Sequence, residues 1–277
     1  MPKNLILNDT AFLLLCDLIH DRTGVEYGNN NRDLLAEKLS SRAMAWGFDS
    51  FLDYYYLLKY DQSAQEEWKY VMDAISVQET FFWREMDQLY ALVNVLIPEY
   101  FAAHPDRALR IWSAACATGE EPLSIAIAIN EAGWFERAPI EIYASDGSRS
   151  AINKAINGVY NNRALRNLPP DLKLKYFQQE GENDWRILSE IHNRIKWKVA
   201  NLMVSYEINY LASASIIFCR NVFIYFSNSA IKKTIDLFYN TMPKEGYLCV
   251  AASESLLKLT NNFELQEIGG AFIYVKI

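Results

Sequence analysis

The chain has 277 residues, and 27 Lys and Arg against 34 Asp and Glu give a formal net charge of −7 at pH 7. Hydrophobic residues make up 51% of the sequence, which excludes an intrinsically disordered protein. The negative charge argues against non-specific binding of nucleic acids, because that binding requires a basic surface. The length allows one large domain or two smaller ones with an ample core.

The sequence contains no apolar run of the roughly 18 residues that a membrane-spanning helix needs. Asp17 interrupts the longest apolar stretch, residues 11–19, and no small-residue cleavage site follows it, so we interpret this stretch as a soluble helix and not as a signal peptide. The four cysteines and three histidines lack the spacing of a zinc site. We therefore expect reduced thiols, a cytoplasmic location, no inserted membrane segment and no metal.

Helical patterns without any strand pattern cover residues 1–75. Asn8 precedes the first apolar stripe as an N-cap, and Asn31 precedes a second helix. Ser50 opens a third helix, and Ser63 begins a predicted capping box for a fourth. These elements predict a small all-α domain.

A fifth amphipathic helix is predicted over residues 85–100, and after it apolar runs alternate with helical segments. The apolar runs predict buried strands at residues 108–113, 140–144, 195–200, 214–219 and 247–252. Helices are predicted at residues 121–132, 151–156 and 227–242, and one or two edge strands at residues 263–277. This alternation is typical of an α/β fold with a mostly parallel sheet and helices on both faces. Residues 160–194 interrupt it and predict a small inserted subdomain.

The loop after the first predicted strand carries small residues and then two acids, in the run SAACATGEEP. Small side chains allow a ligand to approach the backbone closely where a helix begins. Its single glycine, Gly119, does not match a dinucleotide-binding loop, and the missing GK[ST] run excludes a P-loop. Glu120 and Glu121 would repel a diphosphate but suit a cationic ligand such as S-adenosylmethionine. Alternatively, they only stabilise the helix N-terminus.

Two later strand ends bring further polar side chains to the same edge of the sheet. Asp146 ends the second strand, where a carboxylate can accept hydrogen bonds from both hydroxyls of a ribose. Arg220 and Asn221 end the strand at residues 214–219, and Tyr225 follows them. A buried arginine needs a partner, which would be either the carboxylate of a ligand or substrate or an internal acid.

Six segments, in chain order, resemble motifs of the chemotaxis receptor glutamate methyltransferases of the CheR family. They are SVQETFFWRE (residues 76–85), RIWSAACATGEEP (110–122), YASD (143–146), VANL (199–202), IFCRNVFIYF (217–226) and SES (253–255). With the helical region before them, the resemblance covers nearly the whole chain. The sequence departs from the family pattern with Gln78 for Asn, Gly147-Ser148 for Ile-Asp, Ala117 for Ser, and Ala251-Ala252 for Gly-His.

The resemblance implies an α/β fold with a Rossmann-like class I methyltransferase sheet, preceded by a small all-α domain. It implies a helical domain at residues 1–76, a connecting segment and helix at 77–107, and a methyltransferase domain at 108–277 with an insertion at about 160–194. It also implies methyl transfer from S-adenosylmethionine to glutamate side chains in the cytoplasmic helical domain of methyl-accepting chemoreceptors. The product would be S-adenosylhomocysteine, and we expect a monomer.

The same resemblance assigns cofactor contacts to Gln78, Thr80, Arg84, Ala114, Glu121, Asp146, Asn201, Leu202, Arg220 and Asn221. It places Arg84 and Tyr225 nearest to the methyl group that is transferred, as the catalytic side chains. Phe81, Phe82 and Trp83 either stack on the cofactor or hold this segment between the helical region and the sheet.

The predicted second helix carries Arg32, Lys38 and Arg42, which form either a contact surface for an acidic receptor helix or a solvated charged face. Two other functions are compatible with the same fold: methylation of a small molecule, and a non-catalytic module that binds S-adenosylhomocysteine. The helical region and the insertion favour a protein substrate, because a small substrate needs neither. The retained Arg84 and Tyr225 weigh against the non-catalytic module.

Overall fold

A computed structural model describes residues 5–277, so the first four residues of the predicted helical domain lie outside it. The described chain begins with the helices α1 (Asp9–Thr23), α2 (Arg32–Ala45), α3 (Phe51–Tyr60) and α4 (Ala64–Ile75). The four predicted helices are therefore confirmed. None of the helices in the described range is long and apolar enough to cross a membrane.

Short polar side chains cap the first turns of α1 and α3. The Asn8 side chain accepts a hydrogen bond from the amide of Ala11 at 2.9 Å, and Ser50 caps α3 with its own side chain, as the sequence predicts. The predicted capping box at Ser63 is wrong. Asp61 accepts hydrogen bonds from both the amide and the hydroxyl of Ser63, at 2.8 and 2.6 Å, so this serine has helical dihedral angles and caps nothing.

The three basic residues of α2 have partners inside the helical region and do not form an open basic face. Arg42 donates from Nε to the buried Glu67 at 2.9 Å, and Arg32 pairs with Asp9. The ammonium group of Lys38 donates to two backbone carbonyl groups at the end of α4, at 3.0 and 3.4 Å. Their charges therefore hold the helices together, because each satisfies a carboxylate or the carbonyl groups of a helix end.

The helices after this region follow the predicted order. The predicted fifth helix is confirmed as three consecutive segments: α5 (Met86–Ala91), a π-helical turn (Leu92–Leu96) and α6 (Ile97–Ala103). The later helices are α7 (Glu120–Glu131), α8 (Trp134–Arg137), α9 (Arg149–Asn157), α10 (Pro170–Tyr176), α11 (Ser189–His192), α12 (Ser205–Ala212) and α13 (Asn228–Thr241).

The strands of the described chain form two sheets. They are β1 (Leu109–Ala114), β2 (Ile140–Asp146), β3 (Val159–Asn161), β4 (Phe177–Glu180), β5 (Asp184–Ile187), β6 (Ile195–Val199), β7 (Ile216–Phe218), β8 (Tyr247–Cys249), β9 (Phe263–Ile268) and β10 (Ala271–Lys276). The larger sheet has the order β6-β2-β1-β7-β8-β10-β9. Its first five strands are parallel, and β10 is antiparallel to both of its neighbours. The strand order reverses between β1 and β7, which creates the switch point of an open α/β sheet.

Helices cover both faces of this sheet, as predicted. Successive side chains of β1 point to opposite faces and join two separate cores. Ile111 belongs to the core that contains Ile125 of α7. Trp112 belongs to the core that contains Phe238 of α13, and the two rings pack edge to face.

The two edges of the sheet differ in part from the sequence prediction. The segment predicted as a buried strand at residues 195–200 forms the edge strand β6, in which Lys196 and Lys198 are exposed. The predicted burial is wrong there, because an edge strand has a neighbouring strand on one side only. At the opposite end, residues 263–277 form both β9 and β10, and only β9 lies at the edge.

A second, small sheet interrupts the alternation of strands and helices. Its strands β3, β5 and β4 pair antiparallel in that order; along the chain, α10 lies between β3 and β4, and α11 follows β5. The small sheet leaves the main fold after α9 and returns to it at β6. It lies within the span of the predicted insertion at 160–194, apart from Val159 at its first position.

The ion pair of Arg42 provides a test of how the helical region is held together. In Arg42→Ala, the buried carboxylate of Glu67 loses its cation, and we expect the free energy of unfolding to fall by about 3 kcal/mol. Lys69→Ala is the matched control, because Lys69 pairs with the exposed Glu66 and should contribute less than about 1 kcal/mol. Urea denaturation measures both values, and equal losses would contradict the role given to Arg42.

Candidate functional site

Two adjoining cavities lie at the carboxyl ends of β1, β2 and β7, at the switch point of the sheet. The larger has a volume of about 220 Å³ and lies between the sheet and the helical region, with Lys38, Met72 and Asp146 in its wall. The smaller has a volume of about 50 Å³ and is lined by Arg84 and Glu121. Both walls include Val77, Ala115, Ala117 and Asn221. The two cavities together are named the sheet-edge site.

The loops that follow α4, β1 and β7 form most of the sheet-edge site. Much of the strained backbone of residues 5–277 lies in these three loops. Six non-glycine residues between positions 5 and 277 have positive φ, and five lie in these loops, namely Trp83, Glu85, Ala115, Ala117 and Asn221. Gly119 has a φ of 96°, and a Cβ atom there would lie 2.8 Å from Cβ of Ala155 and 2.9 Å from Trp197. Such strain persists only where the surrounding structure holds it, and it is concentrated at functional sites.

The carboxylate of Asp146 joins the ends of β1 and β2. Its Oδ2 accepts a hydrogen bond from the amide of Ala117 at 2.9 Å, and its Oδ1 accepts one from the amide of Ser148 at 2.8 Å. Burial raises the pKa of Asp146 above its ordinary value, although the two amide hydrogen bonds act in the opposite direction. Each oxygen keeps a lone pair for a further donor in the larger cavity.

Arg220 pairs with an internal acid, which decides between the two alternatives left by the sequence. Its Nε donates to Oε2 of Glu121 at 2.7 Å, while the hydroxyl of Ser113 donates to the other oxygen of Glu121, also at 2.7 Å. The other guanidinium nitrogens donate to the carbonyl groups of Arg84 at 3.0 Å and Glu85 at 3.2 Å. The guanidinium is therefore neutralised and held, and it also fixes the backbone next to the smaller cavity.

Arg84 is the arginine of the smaller cavity whose hydrogen-bonding capacity is largely unused. Within residues 5–277, its guanidinium makes one charged contact, 3.9 Å from the carboxylate of Glu85, and it lies 5.3 Å from the ring centre of Phe81. A guanidinium has five N–H donors, so several are free to bind an anion that enters the cavity.

Tyr225 lies in the wall of the larger cavity, and its ring is 37% exposed. The helical region positions its backbone, because the amide of Glu26 donates to the carbonyl of Tyr225 at 2.9 Å and Val25 forms an isolated antiparallel bridge to Phe226. Arg84 and Tyr225 therefore line different cavities of the site, and Asn221 lies in the walls of both.

Two predicted contact residues at the larger cavity use their amide groups within the protein. Gln78 donates to the hydroxyl of Ser150 at 3.1 Å and accepts a hydrogen bond from Lys154 at 2.8 Å. Gln78 is one methylene longer than the Asn of the family, and this extra length allows its amide group to reach α9. Asn201 donates to the carbonyl of Arg22 at 2.8 Å and so links the site to the helical region.

The other predicted contact residues separate into those that reach a cavity and one that does not. Leu202 lines the larger cavity and Thr80 the smaller one. Ala114 is fully buried in β1 and lines neither, whereas its neighbour Ala115 lines both. The strand continues through Ala114 before the chain turns at the positive φ of Ala115, which the pattern of small residues alone does not locate.

Sequence reasoning assigned no role to Glu254, a buried acid that organises the turn after β7. Its carboxylate accepts hydrogen bonds from the amides of Asn221 at 2.8 Å, Phe223 at 2.7 Å, Ile224 at 3.3 Å and Ala251 at 2.9 Å. The turn that carries Asn221 and Tyr225 contains a short 3-10 segment, Phe223–Tyr225, and this carboxylate satisfies backbone amides before and within it. The available signal was the acid at the centre of the SES motif.

Asp73 of α4 was also missed, and it explains the departure from the family pattern after Asp146. Its Oδ1 accepts hydrogen bonds from the hydroxyl of Ser148 at 2.7 Å and the amide of Ser150 at 2.9 Å. At Gly147, a Cβ atom would lie 2.4 Å from Cε of Met72. The Gly-Ser pair therefore allows α4 to pack closely against the start of α9.

Two models of known protein families match the amino-acid sequence of this chain. The model described as "CheR methyltransferase, all-alpha domain" matches residues 10–76, and "CheR methyltransferase, SAM binding domain" matches residues 78–271. The chain belongs to the CheR methyltransferase family.

Curated relatives of this CheR protein are similar over most of its length. "Chemotaxis protein methyltransferase 2" of Vibrio cholerae is 30% identical over 276 residues, which cover 99% of this chain and 95% of the relative. "Chemotaxis protein methyltransferase" of Salmonella typhimurium is 30% identical over 269 residues, covering 96% of this chain and 91% of the relative. "Chemotaxis protein methyltransferase Cher2" of Pseudomonas putida is 34% identical over 212 residues, covering 74% and 75%.

This CheR protein is a protein-glutamate O-methyltransferase that uses S-adenosylmethionine. The donor set of the sheet-edge site fits that molecule. Asp146 offers two carboxylate oxygens with unused lone pairs to hydroxyl donors, and the pairing of Glu121 with Arg220 leaves no uncompensated arginine charge beside Asp146.

Glu120, next to the site, is a buried acid that forms no salt bridge with the residues between 5 and 277. It is 4% exposed, and the hydroxyl of Thr118 donates to its Oε2 at 2.7 Å. Burial raises the pKa of Glu120 to about 7, and the nearby charge of Glu79 acts in the same direction.

The raised pKa of Glu120 predicts how stability depends on pH. Its folded-state pKa of about 7 lies above the ordinary value of 4.5, so ionisation penalises the fold progressively between those two values and fully above the higher one. Glu120→Gln should therefore be no more stable than the parent at pH 4 but more stable at pH 8, by at most about 3 kcal/mol. Urea denaturation at both pH values measures this difference, and a constant difference would contradict it.

Proposed function

We propose that this CheR protein methylates glutamate carboxylates in the cytoplasmic helical domain of methyl-accepting chemoreceptors, as a monomer in the cytoplasm. The proposal divides the chain into a helical domain (1–76), a connecting segment and helix (77–107) and a methyltransferase domain (108–277) with an insertion at about 160–194. The proposal rests on Arg84, whose guanidinium lines the smaller cavity, next to the larger one, and makes one charged contact within residues 5–277.

The reaction needs alignment and desolvation more than it needs a base. A glutamate side chain with an ordinary pKa of about 4.3 is already an anion at neutral pH. S-adenosylmethionine, when bound, supplies a methyl group activated by a positively charged sulfur. Opposite charges are lost as the methyl group moves to the carboxylate, so water stabilises the reactants more than the transition state. An enclosed site that aligns the carboxylate therefore favours the reaction.

Arg84 and Tyr225 are the two side chains that we assign to the substrate carboxylate. Arg84 has free N–H donors, and the Tyr225 hydroxyl, in the wall of the larger cavity, makes no hydrogen bond to any residue in the range 5–277. Arg220 is unsuited to this role because Glu121 and two backbone carbonyl groups already satisfy it. Arg84 pairs with the carboxylate and Tyr225 donates a hydrogen bond to it. Because the Arg84 side chain is partly exposed to solvent, the pair is weakened and the carboxylate keeps its nucleophilicity.

The remaining predicted contacts are assigned to the cofactor. Asp146 would accept hydrogen bonds from the ribose hydroxyls, and the larger cavity, with Asn201 and Leu202 in its wall, would enclose the adenosine. The other residues proposed to hold the cofactor are Gln78, Thr80, Glu121, Arg220 and Asn221. The backbone contact assigned to Ala114 is moved to Ala115, which lines both cavities.

The function is tested by incubating the purified protein with radiolabelled S-adenosylmethionine and membranes of its own cell. We expect label on a receptor-sized band, and mild alkali should release it, because carboxyl esters are labile to base. Label in a low-molecular-weight fraction would indicate a small-molecule methyltransferase. Binding of S-adenosylhomocysteine without any labelled acceptor would indicate the non-catalytic module.

The role of Arg84 is tested in the same assay. Arg84→Ala should reduce the rate of methyl transfer by about 100-fold, because the carboxylate loses its cationic partner. Its affinity for S-adenosylhomocysteine, measured by calorimetry, should fall much less. Arg137→Ala, at the end of the remote helix α8, is the control and should keep full activity. Full activity of Arg84→Ala would refute the assignment.

The role of Asp146 is tested by binding alone. Asp146→Ala removes both acceptor oxygens, and we expect the Kd for S-adenosylhomocysteine to rise about tenfold or more. Asp171→Ala, at an exposed position of α10, controls for the loss of one negative charge. An unchanged Kd in a folded Asp146→Ala protein would show that the ribose contact is misplaced.

A further inference from the structure

The segment at residues 77–85 carries Arg84 but has no regular secondary structure to hold it. It joins α4 to α5, and two of its residues, Trp83 and Glu85, have positive φ values of 65° and 51°. A strained segment of this kind keeps one conformation only if neighbouring elements constrain it. The position of the Arg84 guanidinium therefore depends on what contacts residues 77–85 from outside.

The insertion binds this segment through its backbone and through a buried ring. The amide of Phe82 donates to the carbonyl of Ala164 at 2.9 Å. The Phe82 ring is fully buried and packs edge to face against Tyr160 and Phe177, with ring centres 4.9 and 5.1 Å apart. Phe82 therefore holds the segment against the insertion, which supports the second of the two roles considered for these aromatic residues.

Two arginines of the insertion bind the same segment on its exposed side. Glu79 accepts a hydrogen bond from Arg163 at 2.9 Å and lies 3.6 Å from Arg166. Arg166 is itself held, because its Nη1 donates to the carbonyl of Arg163 at 2.7 Å. The guanidinium of Arg166 is therefore fixed between its own loop and the carboxylate of Glu79.

The ring of Phe81 connects Arg166 to Arg84. Its centre lies 3.8 Å from the guanidinium carbon of Arg166 and 5.3 Å from that of Arg84, both within the range of cation–π contacts. Glu79 compensates the charge of Arg166, so the second guanidinium adds little repulsion toward Arg84. The Phe81 ring, which Arg166 holds in place, therefore provides a surface that the Arg84 guanidinium contacts.

We infer that Arg166 is a positioning residue for Arg84 and acts through the ring of Phe81, so that the insertion sets the geometry of the methyl-transfer step. This inference rests on the proposed function, because it takes Arg84 as the group that orients the substrate carboxylate. Arg166 lines neither cavity of the sheet-edge site, so its removal should change the rate of the step without changing cofactor binding.

The first test compares two arginines of the insertion. Arg166→Ala should lower kcat about fivefold and leave the KM for S-adenosylmethionine unchanged, and Arg166→Lys should restore part of the loss because a cation is kept near the ring. Arg186→Ala is the matched control, since Arg186 pairs with Glu180 at 2.7 Å inside the insertion and does not contact residues 77–85. An unchanged kcat in Arg166→Ala, or an equal loss in Arg186→Ala, would overturn the inference.

The second test asks whether Arg166 acts through Arg84. In an Arg84→Ala background, which has no cation at position 84, adding Arg166→Ala should cause no further loss of kcat, whereas a further fivefold loss would show an independent effect and overturn the inference. If Arg166→Ala does not fold, Phe81→Leu removes the connecting ring and should lower kcat in the same way, again without a change in KM. Full activity of Arg84→Ala would refute the assignment of Arg84 to the substrate carboxylate, whereas absence of base-labile label with the parent protein would refute the proposed function itself. Loss of activity in Arg84→Ala, with none in Arg166→Ala, would refute only the inference.

Discussion

A buried ion pair between Glu121 and Arg220 is the interaction on which the rest of the site depends. It joins the first turn of α7 to the end of β7, and the arginine also holds the carbonyl groups of residues 84 and 85. Because a buried charge without its partner is strongly destabilising, these three pieces of chain are constrained to stay together. The pair also cancels its own charge, whereas Arg84, the other arginine of the smaller cavity, makes one charged contact within residues 5–277, with Glu85 at 3.9 Å.

The site is formed by loops that buried polar groups hold in strained conformations, and not by regular pairing. Glu254 gathers four backbone amides around the turn after β7, and Asp146 holds the amides that follow β1 and β2. Donors and acceptors fixed in this way need little rearrangement when the reaction proceeds, which is how a preorganised site lowers an activation barrier. The insertion extends the same principle to the segment of Arg84 through Phe82 and Arg166.

The helical region forms part of the sheet-edge site. It supplies one wall of the larger cavity, holds the backbone of Tyr225 through Glu26, and binds the start of α9 through Asp73. The charges of α2 stabilise these helices internally, as the pairing of Arg42 with Glu67 shows. Any acidic partner would therefore have to compete with contacts that already exist.

The order of apolar runs, helix stripes and turn residues was enough to predict the helical region, the parallel sheet, the insertion and the loop of small residues, because burial and chain reversal leave local patterns of period 2 or 3.6. The resemblance of the motifs identified the family and the strand ends that meet at the site.

Other features depended on which distant segments come together. Glu121 and Arg220 form an ion pair although they are 99 positions apart. The edge position of β6 follows from the strand order. The Gln78 side chain forms hydrogen bonds with α9 because α4 packs against that helix. A local pattern shows that a charge is buried, but its partner is decided by the tertiary structure, because electrostatic and hydrogen-bond contacts depend on distance in space and not on distance along the chain.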